Sequence, residues 1–163
     1  HIAEKNPGMT IYIVASSTGA AMAVEYVLET LVDPGLPTVG RLVLVSPEIG
    51  VAPAAALAVW QARLGRLLGL EKLAWHSIQL EYDPFKYNSF PKNAGQQAYE
   101  ITAALQRQVQ EAKKAGQLTN FPPVTTFLSW VDSTVETSMT IDRFYAQLEN
   151  RGNELVIFDV NRF

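Results

Sequence analysis

The sequence predicts an α/β fold in which four parallel strands are flanked by helices, with a helical insertion between the second strand and the third. Four short runs, 9–15, 41–46, 124–130 and 154–160, are rich in β-branched and aromatic residues and barely alternate in polarity, the pattern of strands buried on both faces. Segments with apolar residues at helical spacing separate the first two runs and the last two. Parallel strands need such crossovers, and right-handed ones are the rule. The expectation is strands in the spatial order of their sequence, with helices on both faces of the sheet.

The first strand, Met9-Thr10-Ile11-Tyr12-Ile13-Val14-Ala15, follows the turn signal Asn6-Pro7-Gly8. From Ala20 the apolar positions are Ala20, Ala23, Val24, Val27, Leu28 and Leu31, one face of a helix that Asp33-Pro34-Gly35 ends. Arg41-Leu42-Val43-Leu44-Val45-Ser46 is the second strand. Strand signals then vanish over 52–122. A first helix there carries Leu57, Trp60, Leu64, Leu67 and Leu68 on one face, and a last one carries Ala98, Ile101, Leu105, Val109 and Ala112 before Gly116 stops it. Between them, Glu81 to Pro91 has Pro and Asn too dense for regular structure. After Pro122-Pro123 come the strand Val124 to Trp130, a helix using Ile141, Phe144, Tyr145 and Leu148, and the strand Glu154 to Val160. The domain reading is a single unit, with a core of 1–51 and 123–163 and a helical cap at 52–122.

Composition narrows the functions. At 163 residues, 48% hydrophobic and 18% charged, the chain is long enough for one core that buries about 70% of its unfolded surface. The absence of cysteine excludes disulfides, thiolate metal sites and a Cys nucleophile. The two histidines, His1 and His76, are too far apart in sequence to form a ligand-spaced cluster, so no metal is expected. Thirteen basic against 16 acidic residues, with no basic stretch, argue against nucleic acid. No apolar run reaches membrane-helix length, and no targeting signal is visible in 1–6, which slightly favours the cytoplasm; the chain starts without Met.

Ala15-Ser16-Ser17-Thr18-Gly19 stands where the first strand turns into the first helix and fits the G-x-S-x-G nucleophile elbow with Ala in the first position. A serine at such a turn points its hydroxyl out of the C-terminal edge of the sheet, and small residues two before and two after are expected to let strand and helix pack closely. The same turn sets the Thr18 amide at a helix N-terminus, where N–H groups stabilise an oxyanion. The competing reading is that Ser16, Ser17 and Thr18 merely cap the helix. A phosphate loop fits less well, because the Gly-Lys that should follow is missing. Asp132, after the third strand, is expected at the same sheet edge, where a carboxylate can orient a histidine; its alternative role is to cap the turn toward Ser133-Thr134. Asp142 and Asp159 are weaker candidates, placed in a helix and in the last strand. His76 falls in the insertion and reads as a cap residue.

These segments resemble the α/β-hydrolase superfamily, in its serine esterase and lysophospholipase-like branch with a helical insertion. The matching pieces are 15–19, Leu42-Val43-Leu44-Val45-Ser46-Pro47, Asp83 to Pro91, and Phe127 to Val135. The resemblance covers nearly the whole chain but implies only the C-terminal portion of the family's fold, a partial α/β-hydrolase fold holding strands five to eight of the family sheet with the cap after strand six. It implies that Ser17 attacks an ester carbonyl, that the Thr18 amide donates to the oxyanion and that Asp132 orients a histidine, with no cofactor and no metal. The substrate it implies is a small-molecule ester or a lipid. In the family the second oxyanion donor precedes, and the triad histidine follows, the segments matched here. The resemblance therefore implies a catalytic unit that is incomplete in these 163 residues, its histidine beyond Phe163. Ser17 is expected in a strained turn with positive φ, its hydroxyl on the order of 7 to 9 Å from the Asp132 carboxyl, one imidazole and two hydrogen bonds apart. The reading from another class is a non-catalytic α/β module that associates through the open edge left by the first strand.

Overall fold

A computed structural model of the chain describes residues 2–50, 75–77, 90–130, 137–149 and 152–159, with backbone alone for 75–77 and 90–95. The chain divides into two compact units, His1–Gly50 with Thr102–Phe163, and Val51–Ile101.

The first unit holds a sheet of four strands, β1 (Ile11–Ser16), β2 (Val39–Val45), β5 (Val124–Ser129) and β6 (Glu154–Phe158), in the order β1-β2-β5-β6 with every pairing parallel. A short helix α1 (Ile2–Lys5) precedes β1. α2 (Ser17–Thr30) packs on β1 and β2 through Ala20, Ala21, Val24 and Val27, all with no exposed surface. It ends as the spacing predicts: the Asp33 carboxylate accepts from the Gly35 amide at 2.8 Å, an Asx turn that diverts the backbone from the helix. The helix α3 (Lys92–Lys114) contributes Leu105, Val109 and Ala112 to the core and stops at Gly116, whose φ of 68° is the left-handed cap that glycine supplies without steric cost. α4 (Thr137–Arg143) and a 3-10 turn at Tyr145–Gln147 connect β5 to β6. Phe144 between them is fully buried, edge-on to Phe121 and Tyr145 at centroid distances of 5.9 and 5.7 Å.

Two expectations are corrected. Parallel strands added in sequence order by right-handed crossovers must carry their connections on one side of the sheet, not two. Burial follows that rule: Leu42, Leu44, Val124, Thr126 and Leu128 on the inner face are fully buried, whereas Tyr12, Val14, Val45, Val156 and Phe158, which the register sets together on the other face, are exposed. Runs that look doubly buried in sequence are therefore apolar on a face left open among the described residues. The second unit also contains strands where none was expected, β3 (Trp75–Ser77) and β4 (Phe90–Pro91), an antiparallel pair. Segments of three and two residues are too short for periodicity to register, and Pro91 is tolerated because each is an edge strand. The helix expected on Leu57 to Leu68, most of the segment 81–91, and Asp132 lie outside the described residues.

Candidate active site

The sheet's C-terminal edge gathers the ends of β1, β2, β5 and β6, and with them Ser17 and Thr18 of the sequence-predicted site. β1 runs straight into α2 with no intervening loop, and the helix begins at Ser17 rather than Ala20. So abrupt a reversal requires one residue in the left-handed region; Ser17 has φ 52° and is exposed. The capping alternative finds no support in the hydroxyls. Ser16 occupies the N-cap position without a side-chain capping bond. Thr18 turns its hydroxyl the other way, donating to Glu48 Oε2 at 2.5 Å. The amides of the first turn of this 14-residue helix are thus not satisfied by Ser16 or Thr18, and they carry the positive end of the helix dipole. Gly19 departs from expectation among the described residues, because a Cβ built there meets none of their atoms within 4 Å outside its own helix backbone.

β2 ends in a second tight turn. Ser46 has φ 42° and donates its amide to the Phe127 carbonyl at 2.9 Å, so the turn is tied to β5. Beyond Pro47, the Glu48 amide donates to the Ser17 carbonyl at 3.2 Å. The Thr102 hydroxyl donates to the Glu48 carbonyl and Gln106 Nε2 to the Ile49 carbonyl, each at 3.1 Å, while Gln106 Oε1 accepts from Arg143 Nη1 at 2.8 Å. Gly50 lies against Met139 so closely that any Cβ would overlap it. Residues 46–50 are therefore held from β5, α3 and α4 at once. No sequence pattern singled out Glu48, because Ser-Pro-Glu reads as an ordinary turn until the fold brings it beside the turn at Ser17.

The third strand leaves the sheet at Ser129. Trp130, more than half exposed, donates its amide to the Phe158 carbonyl at 2.8 Å, and the Thr137 hydroxyl returns to the Ser129 carbonyl at 2.9 Å. The end of β5, after which the chain runs on to Asp132, lies two strands, about 10 Å, from the end of β1; Asp132 itself, and with it the Ser17 to Asp132 separation, lies outside the described residues. The same is true of His1, and nothing is described of the His76 side chain. Asp159 emerges just past the end of β6 rather than within the strand, at the same edge of the sheet, whereas Asp142 lies on α4. Among the described residues no group of three His, Cys, Asp or Glu could hold a metal ion, and no helix is long and apolar enough to cross a membrane.

No protein-family model matches the sequence, and no curated protein matches it. Solved structures do match. A monoacylglycerol lipase from Paleococcus ferrophilus aligns with a TM-score of 0.60 at 16% identity, over 96% of this chain and 61% of its own. A soluble variant of monoglyceride lipase from Saccharomyces cerevisiae gives 0.62 at 13% identity, over 97% and 57%. The fold is α/β-hydrolase-like. A structure described for LipS and LipT, two metagenome-derived lipolytic enzymes, agrees, with a TM-score of 0.63 at 14% identity over 93% and 56%. The chain thus spans about three fifths of the length of these structures. Ser17 stands at the junction of β1 and α2, at the C-terminal edge of this sheet.

Proposed function

We propose that this chain belongs to a serine hydrolase that cleaves carboxylic esters by acyl transfer. One observation carries the reading: Ser17 is an exposed, left-handed residue at the junction of β1 and α2, beside helix amides that the adjacent hydroxyls leave uncapped. In the proposed reaction a histidine removes the Ser17 proton as Oγ bonds to the ester carbonyl carbon, and the carbonyl oxygen takes the negative charge under the Thr18 amide. Collapse breaks the bond to the alcohol, which leaves with the proton from the histidine. Water then repeats the sequence on the acyl-serine and releases the acid. Asp132 is assigned the orientation of that histidine. The histidine is proposed to follow β6 in a longer polypeptide, with His76 as the alternative within the chain. The structural neighbours, lipases and lipolytic enzymes, favour esters or lipids as substrates.

Hydrolysis of p-nitrophenyl esters tests this. The 163-residue chain is expected near background and a polypeptide extended at both ends is expected to turn over, with Ser17→Ala lowering kcat at least about a thousandfold. Full activity of the 163-residue chain that is lost in His76→Ala would move the base to His76, and activity that survives Ser17→Ala would end the proposal.

A second reading, a module that acts by association, is favoured by β1 itself. It is an edge strand, and Tyr12 and Val14 are 66% and 72% exposed on it. Catalytic silence of every extended form, together with stable self-association, would select that reading.

A further inference from the structure

The reading of Ser17 and Thr18 as nucleophile and oxyanion donor leaves open what aims the donor. We infer that Glu48 is the positioning residue that sets the direction of the Thr18 N–H, acting from both sides of a single peptide unit. The inference rests on the hydrolase reading for its purpose and on the hydrogen bonds for its geometry.

A trans peptide is one rigid plane, so the carbonyl of Ser17 and the amide of Thr18 point in opposite directions and turn together. The Glu48 amide donates to that carbonyl at 3.2 Å. Fixing the Ser17 oxygen toward Glu48 therefore turns the Thr18 N–H away from Glu48. The Glu48 carboxylate holds the following residue as well, accepting the Thr18 hydroxyl at 2.5 Å. A non-glycine residue in the left-handed region relaxes to an ordinary conformation unless its surroundings over-determine it. Here the bonds on either side of the Ser17–Thr18 peptide come from one residue. That residue is in turn immobilised by the Thr102 hydroxyl on its carbonyl and by Gln106 on the next one. The carboxylate also sits at the first turn of α2, where the helix dipole favours a negative charge. With its hydroxyl committed to Glu48, Thr18 offers the oxyanion its backbone amide and not its side chain.

The test separates geometry from turnover. In 15N-resolved NMR of the 163-residue chain, Glu48→Ala is expected to shift or broaden the Thr18 and Ser17 amide signals while leaving Val24 and Val27, deeper in α2, in place. Thr18→Val, which removes the donor and keeps the shape, should do the same. Glu48→Gln retains an acceptor for the Thr18 hydroxyl and should restore both signals. In a form that hydrolyses esters, Glu48→Ala should lower kcat about tenfold, leave KM within about twofold, and be largely rescued by Glu48→Gln, because a misaimed donor is lost only where charge develops. Unmoved Ser17 and Thr18 signals in Glu48→Ala, or a Glu48→Gln spectrum displaced as far as that of Glu48→Ala, would overturn the inference. The spectra need no turnover. If Ser17→Ala leaves ester hydrolysis intact, the nucleophile assignment fails alone.

Discussion

Ser17 and Ser46, the non-glycine residues with positive φ among those described, end neighbouring strands in register, Ser16 being paired with Val45. Two strained turns side by side on one sheet edge are joined by the bond from the Glu48 amide to the Ser17 carbonyl, so neither relaxes independently. Such strain persists where the fold over-determines it, and here it falls where the chemistry is proposed.

The conformation at Ser17 gives a stability prediction distinct from activity. Ser17→Gly removes the left-handed penalty and Ser17→Ala keeps it, so Ser17→Gly should be the more stable of the two by about 1 kcal/mol in urea unfolding. Equal midpoints would mean that the turn is not strained in solution.

Gly50 yields a packing prediction. A Cβ at this position overlaps the Cβ of Met139, an atom that shortening the Met139 side chain does not remove. Gly50→Ala should cost about 1 to 3 kcal/mol, and adding Met139→Ala should not recover it. Recovery in the double variant would show that the thioether end makes the contact.

Tyr145 predicts behaviour in alkali. Burial, foremost, and the nearby Glu154 carboxylate raise its hydroxyl above the usual value of 10.0, with partial offset from the Thr126 hydroxyl. A raised native value means that the unfolded chain loses its proton first. The stabilisation is therefore complete below about pH 10 and is lost as pH rises through the native value. Tyr145→Phe should flatten the fall in melting temperature over that window, measured against the same variant at neutral pH.

The open sheet face predicts association. Tyr12, Val14, Val45, Val156 and Phe158 present apolar side chains from three of the four strands. Light scattering on the 163-residue chain should find species larger than the monomer, and Val14→Lys, a charge on the edge strand, should shift the distribution toward monomer. A parent chain that is monomeric throughout would remove the argument.

The sheet was legible in the sequence because each strand is a compact β-branched run, and α2 because its apolar residues recur at helical spacing. The positive-φ turn at Ser17 was legible too, since a small residue, serine and glycine stand in sequence between strand and helix. Glu48 was not: its role depends on contacts with residues 30 and 54 positions away, and local pattern carries no such information. The exposure of one sheet face could have been deduced, because strands in sequence order joined by right-handed crossovers are expected to leave one face uncovered. The β3 and β4 pair left no trace for the opposite reason, its segments being shorter than any period.

Because β2, β5 and β6 each pair with the strand of the sheet that comes before them in the chain, no gap must be kept open between these strands for a later insertion. During synthesis, β2 can dock on β1, β5 on β2 and β6 on β5 as each leaves the ribosome, so the growing edge is always the newest strand. The long segment between β2 and β5 is then the one point of delay in an otherwise vectorial assembly, and the nascent chain exposes the β2 edge for as long as that segment takes to be made.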